Sequence, residues 1–95
     1  MQVNYTTETF SALLSLVNFI EANNTQNSGL RWLNRFEDFL QTKLISPQLI
    51  RLCNNLAFNK LNLRCVYFND WVIAFSIHPT HVLIEALLHK SRITD

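Results

Sequence analysis

Residues 61–89 run LNLRCVYFNDWVIAFSIHPTHVLIEALLH. The apolar residues of this stretch recur with a period of two, the spacing that lines one face of a strand. Asn69-Asp70 and Pro79-Thr80 interrupt it as turn signals. Three strands are therefore expected, 61–68, 71–77 and 81–89, joined as an antiparallel meander. Uniform alternation sorts the last hairpin into two faces. Trp71, Ile73, Phe75 and Ile77 fall with Val82, Ile84, Ala86 and Leu88 on a wholly apolar face suited to receive helices. Val72, Ala74, Ser76 and His78 fall with His81, Leu83, Glu85, Leu87 and His89 on a mixed face. On this reading His89 points away from the helices.

Working outward, Gln2-Val3-Asn4-Tyr5 reads as a short strand that can join the sheet at an edge. Thr6 or Thr7 can cap a helix, with Glu8 in its first turn. Phe10, Leu13, Leu14, Val17 and Ile20 recur at helical spacing. Leu16 and Phe19 widen the stripe, so this helix is expected to be buried on more than one side. The polar break NNTQNSG, 23–29, separates it from a second helix capped by Ser28, with Leu33, Phe36 and Leu40 on one face and Trp32 and Phe39 flanking. So short a connection makes the two helices antiparallel. Ser46-Pro47 signals a short third helix through about Leu56. QLIRLC, 48–53, is also compatible with a strand. The predicted architecture is a single α+β domain over 1–95: an N-terminal strand, two antiparallel helices with a short third, then a three-stranded antiparallel meander. The helices pack on one sheet face.

Composition narrows the function classes. The chain has 95 residues, 48% of them hydrophobic, with one Gly and two Pro. That suits one globular core. No apolar run reaches membrane-spanning length, and the N-terminus lacks the basic and apolar regions of a secretory signal. Eight basic and seven acidic residues give a net charge of +1, whereas a protein that grips nucleic acid by its own field is usually strongly basic. Cys53 and Cys65 lack CxxC spacing. A disulfide between them is possible, but two buried thiols in a reducing cytoplasm are the expected state. His78 and His81 flank the Pro79-Thr80 turn without a nearby Cys, so they are expected as exposed turn residues and not as zinc ligands. No metal or other cofactor is expected.

The last third, LRCVYFNDWVIAFSIHPTHVLIEALLHKSR (63–92), resembles the RelE/ParE superfamily of toxins from bacterial type II toxin–antitoxin systems. An arginine in the first meander strand, Arg64, precedes an apolar strand. A second apolar strand then ends in Leu88-His89-Lys90-Ser91-Arg92. Length and element order extend the resemblance over essentially the whole chain. It implies a cytoplasmic toxin held inactive by a cognate antitoxin in a hetero-oligomer, with no membrane partner. The mixed sheet face and the helical pair would then be the antitoxin contact surfaces, through Leu83, Leu87, Val72 and Trp32.

Two chemistries follow from the resemblance. RelE-like members cleave messenger RNA in the ribosome. A 2′-hydroxyl attacks the adjacent phosphate, which needs a base, an acid and cations around the developing charge. His89 would be the acid or base, Arg64 and Arg92 would hold phosphate, and Glu85 would be a second proton-transfer group. ParE-like members poison DNA gyrase and need a contact surface, here His89, Lys90, Ser91 and Arg92. The LLHKSR ending is closer to this branch. The middle segment 47–62 offers only Arg51 and Lys60, where RelE-like members are richer in basic residues. A third reading is a non-toxic binding domain that retains the fold.

The same residues also have ordinary structural roles open to them. His89 can simply end a strand. Lys90 and Arg92 can be solubilising tail residues, and Arg64 a structural ion pair with Glu85 or Glu37. The Arg64 face also depends on the turn. A two-residue Asn69-Asp70 turn pairs 68 with 71 and puts Arg64 on the Trp71/Phe75 face. A longer or bulged turn puts it with His89.

Overall fold

The computed structural model describes residues 2–93. The chain runs β1 (Gln2–Tyr5), α1 (Thr7–Ala22), α2 (Ser28–Lys43), a 3₁₀ turn (Pro47–Leu49), α3 (Leu56–Lys60), β2 (Arg64–Phe68), β3 (Trp71–Ile77), β4 (His81–His89) and a second 3₁₀ turn (Lys90–Arg92). The fold is α+β, as the pattern predicts. The strand order is β1-β4-β3-β2. β2, β3 and β4 form the antiparallel meander, and β1 joins at the β4 edge in parallel, so the sheet is mixed.

α1 starts where the sequence says. The Thr6 hydroxyl accepts the Thr9 N–H at 3.2 Å, and Glu8 sits in the first turn. α2 starts differently from the expectation. Ser28 is its first helical residue, and Asn27 precedes it in the left-handed region at φ 67°. The cap comes from α1: the Glu21 carboxylate accepts the N–H groups of Asn27 (2.7 Å) and Gly29 (2.9 Å). Ser28 Oγ instead donates to the Ile20 carbonyl. A charged acceptor from a neighbouring helix satisfies donors that a local serine otherwise takes.

The two long helices cover one sheet face. Leu13, Phe36, Leu40, Val66, Ile73, Phe75, Val82 and Ile84 make the buried core between them. Trp32 stacks on Phe36 (centroids 5.1 Å, planes 10° apart) and meets Phe68 edge-on. α1 departs from its predicted burial. Of its 16 residues only Thr9 and Leu13 are buried, and Phe19 is 66% exposed. One face of α1 meets the sheet and α2, and Phe10, Leu14 and Phe19 stand outside that contact.

β4 also corrects the parity. Ala74 pairs with Ala86, but Phe75 pairs with Ile84, so Glu85 is an extra residue at a β-bulge. A bulge resets alternation for everything beyond it. Beyond Glu85, Leu87 pairs with Ile73 and His89 with Trp71, on the helix face; Ala86 and Leu88 pair with Ala74 and Val72 on the outer face. The expected placement of Ala86 and Leu88 toward the helices, and of Leu87 and His89 away from them, is thus inverted. Glu85 itself is exposed.

The outer face is not bare. Residues 53–63 fold over it, and Cys53, Leu63, Cys65, Val72 and Ala74 form a second buried cluster with Phe58, Ala86 and Ile93 packed against it. Cys53 and Cys65 are joined as a disulfide (Cα–Cα 5.0 Å), so the expected free thiols are not found. The predicted helix from Ser46 toward Leu56 is likewise not formed. Only the 3₁₀ turn appears there, Leu52 makes a single antiparallel bridge to Arg64, and the third helix lies later, capped by the Asn55 side chain. The guanidinium of Arg64 donates to the Ile50 and Gln48 carbonyls, and the disulfide fixes the next residues. Together they hold this segment extended.

Candidate functional site

The bulge carries His89 to the end of the sheet, where the last strand meets α1. There the β3 end and α1 border an open cleft of about 800 Å³. α1 contributes Ala12, Ser15, Leu16 and Phe19. The sheet end contributes Trp71, Leu87, Leu88 and His89, and the turn after it contributes Ser91 and Arg92. The walls are mostly apolar, with Ser15 on α1 and with His89, Ser91 and Arg92 together on the rim at the sheet end. This is the usual composition of a binding site.

His89 is held on two sides. Its ring meets Trp71 edge-on at 5.2 Å. Its Nδ1 accepts the Ser91 N–H at 3.2 Å and lies 2.9 Å from Ser91 Oγ. A ring nitrogen that accepts a backbone N–H is the unprotonated one, so the neutral ring carries its proton on Nε2. The His89 side chain thereby caps the 3₁₀ turn that bears Ser91 and Arg92.

Of the residues expected to act together, His89, Ser91 and Arg92 do converge on this rim. Lys90 does not. Its ammonium is 2.9 Å from Asp70, and its N–H donates to the Asp70 carbonyl. This clamp joins the end of β4 to the β2–β3 turn. The hydrogen bond from Lys90, with its charge, holds the Asp70 carboxyl below the usual aspartate range. Arg64 is elsewhere. Phe68 pairs with Trp71, as the two-residue turn requires, and Asn69 takes the left-handed conformation (φ 54°). Arg64 then lies opposite Phe75, four residues along β3 from the Trp71–His89 pair. It shares the helix face with His89 but not the cleft, and it binds backbone carbonyls in place of Glu85 or Glu37. Glu85, on the bulge, does not line the cleft.

The surfaces expected to be exposed for a partner are largely covered. Leu87 is 8% exposed, in the helix-side core at the floor of the cleft, and Trp32 is 7% exposed within the aromatic cluster. Val72 is buried under the outer cluster, and Leu83 is half-buried on the outer face. The residues the sequence reading missed are those of α1 and Trp71. Phe19 lies off the main apolar stripe of α1, a placement the pattern alone reads as extra burial.

His78 and His81 are half-buried, not exposed. Their rings stack in parallel at 4.8 Å and bond to Ser76 and Thr80 respectively. Among the described residues no group of three or more His, Cys, Asp or Glu is placed to hold a metal ion. A second cavity, about 500 Å³, lies at the α1–α2 junction beside Arg31 and Arg35. Arg31 is already bonded to Gln26 and Thr25 there.

No protein-family model matches the chain, and no curated protein matches it.

Proposed function

We propose that this chain is the toxin of a type II toxin–antitoxin pair, of the RelE/ParE kind, and that it arrests growth by contact with DNA gyrase. The element order and the Leu88-His89-Lys90-Ser91-Arg92 ending support the family. The contact mechanism rests on one observation: the groups a ribonuclease would need are dispersed. Phosphate transfer needs a base, an acid and unengaged cations around one centre. Arg64 is spent on the Ile50 and Gln48 carbonyls, Lys90 on Asp70, and Glu85 stands outside the cleft. His89 and Arg92 remain, and the Nδ1 of His89 is engaged by Ser91. An apolar trough with a cationic rim suits protein contact better than RNA cleavage. The same trough suits an antitoxin segment that brings an apolar side chain and a carboxylate. Both roles place the chain in the cytoplasm.

Induction of the chain without an antitoxin tests the reading. Growth arrest is expected, with arrest weakened by His89→Ala and by Arg92→Ala. Normal growth of cells that accumulate folded protein would contradict it and leave a non-toxic binding domain. Arrest accompanied by cut messenger RNA, and abolished by His89→Ala but not by Lys90→Ala, would establish the ribosome-dependent endonuclease in its place.

A further inference from the structure

We infer that the Cys53–Cys65 disulfide is a redox latch: its reduction by a dithiol releases the cover on the outer sheet face and, through Ile93, frees the turn that carries Ser91 and Arg92 at the cleft. The inference concerns the turn itself and does not depend on what the cleft binds.

The geometry of the last residues carries it. β4 ends at His89 on the helix face, against Trp71. The chain then passes through Lys90–Arg92, and Ile93 packs against the outer cluster, which contains Cys53 and Cys65. The turn therefore straddles the end of the sheet. Three anchors hold it: the Lys90–Asp70 clamp at its start, the His89–Ser91 bond pair, and Ile93 packed against the outer cluster.

That cover is thinly attached. α3 has no buried residue, and Leu56 and Leu61 are each 67% exposed. Phe58 packs down, the Cys53 N–H donates to the Leu63 carbonyl, and Asn59 donates to the Cys53 carbonyl. The disulfide is the covalent attachment, and the Arg64 guanidinium holds the chain just before it. Both cysteines are nearly buried, at 1% and 6% exposure. Attack on the sulfur therefore requires the 54–62 segment to open, and a segment with so few buried apolar contacts is of the kind that opens locally.

The exchange is balanced. A thiolate of the dithiol attacks one cystine sulfur, the S–S bond breaks, and the other cysteine leaves as a thiolate. The second thiol of the reductant then displaces the first cysteine. The protein gains two electrons and two protons, and the reductant becomes a disulfide. Where disulfides occur in a reducing compartment they are usually transient and redox-sensing.

The test is amide ¹⁵N relaxation on the full chain, oxidised and after reduction with dithiothreitol, with thiol counts on both samples. In the oxidised protein the Ser91 and Arg92 amides should show rigid order parameters of about 0.85, falling below about 0.6 on reduction together with residues 54–62, while β3 stays rigid. Ile93→Ala with the disulfide intact should loosen the turn and leave 54–62 ordered. Four results would overturn the inference: two free thiols in the oxidised sample, a turn still rigid when 54–62 has loosened, an Ile93→Ala turn unchanged, or global unfolding on reduction.

Discussion

At the scale of single residues, Tyr5 gives a direct electrostatic check. Burial, with the Glu37 carboxylate adding to it, pushes its hydroxyl from 10.0 up to about 12. The folded chain holds this proton more tightly than the unfolded chain. Its contribution to stability is therefore full below pH 10 and is lost as the pH rises through about 12. Urea denaturation across that window should show the decline, and Tyr5→Phe should remove it along with the late component of the phenolate absorbance titration. His89 shows what is legible at this scale. The spacing His89-x-Ser91 singles out the residues, but the Nδ1–Ser91 bond that turns the ring into a cap depends on the turn conformation. Residue identity does not encode that. Arg64 is the opposite case. It stands out as a lone mid-strand cation, yet its partners are carbonyls of residues 48 and 50, and a carbonyl is present at every position of a chain.

At the scale of elements, the α1–α2 junction makes two predictions. Glu21 accepts both the Asn27 and Gly29 N–H groups, so Glu21→Ala should cost about 1–2 kcal/mol, the range for loss of a helix cap. Gly29→Ala sets two effects against each other. Helix propensity alone favours alanine by roughly 1 kcal/mol. A Cβ at this position, however, would lie 2.6 Å from the Val17 carbonyl oxygen, a backbone atom that cannot swing away. Overpacking of that kind costs about 1–3 kcal/mol, so net destabilisation is expected in urea titrations, and a stabilised variant would refute the close helix crossing. Most elements were legible because their signals are clear: helical spacing in α1 and α2, and short apolar runs bounded by turn residues in β2 and β3. The bulge was not. Ala86, Leu87 and Leu88 are apolar at both parities, so a one-residue shift leaves the pattern unchanged. The only trace is Glu85, the one acidic residue in the strand, placed where the extra residue faces solvent.

At the scale of the molecule, two cores share one sheet, and they should respond differently to damage. Phe36 is fully buried between Trp32 and Phe68, and Phe36→Ala should cost about 3–5 kcal/mol. For a domain of this size that is a large part of the total, typically about 5–15 kcal/mol. The disulfide closes a short loop, with a sequence separation of 12. Its loss should cost about 3 kcal/mol in the loop-entropy account, read as the difference between Cys53→Ala/Cys65→Ala and the oxidised chain. The helix-side core was largely visible in the sequence, since its residues sit on the periodic faces. The outer cluster was not. It depends on Leu52 finding Arg64 and on Cys53 reaching Cys65, contacts between a segment without clear period and a strand edge. The parallel docking of β1 on β4 is hidden for the same reason, because four residues fix neither partner nor direction.

The functional account turns on whether the cleft rim works by contact. The most direct measurement adds the purified, oxidised chain to DNA gyrase and follows supercoiling, with ribosomes and messenger RNA treated in parallel. The account predicts that supercoiling is inhibited, that Arg92→Ala relieves the inhibition, and that the messenger RNA stays intact. Full supercoiling beside messenger RNA cut at the ribosomal A site would contradict it.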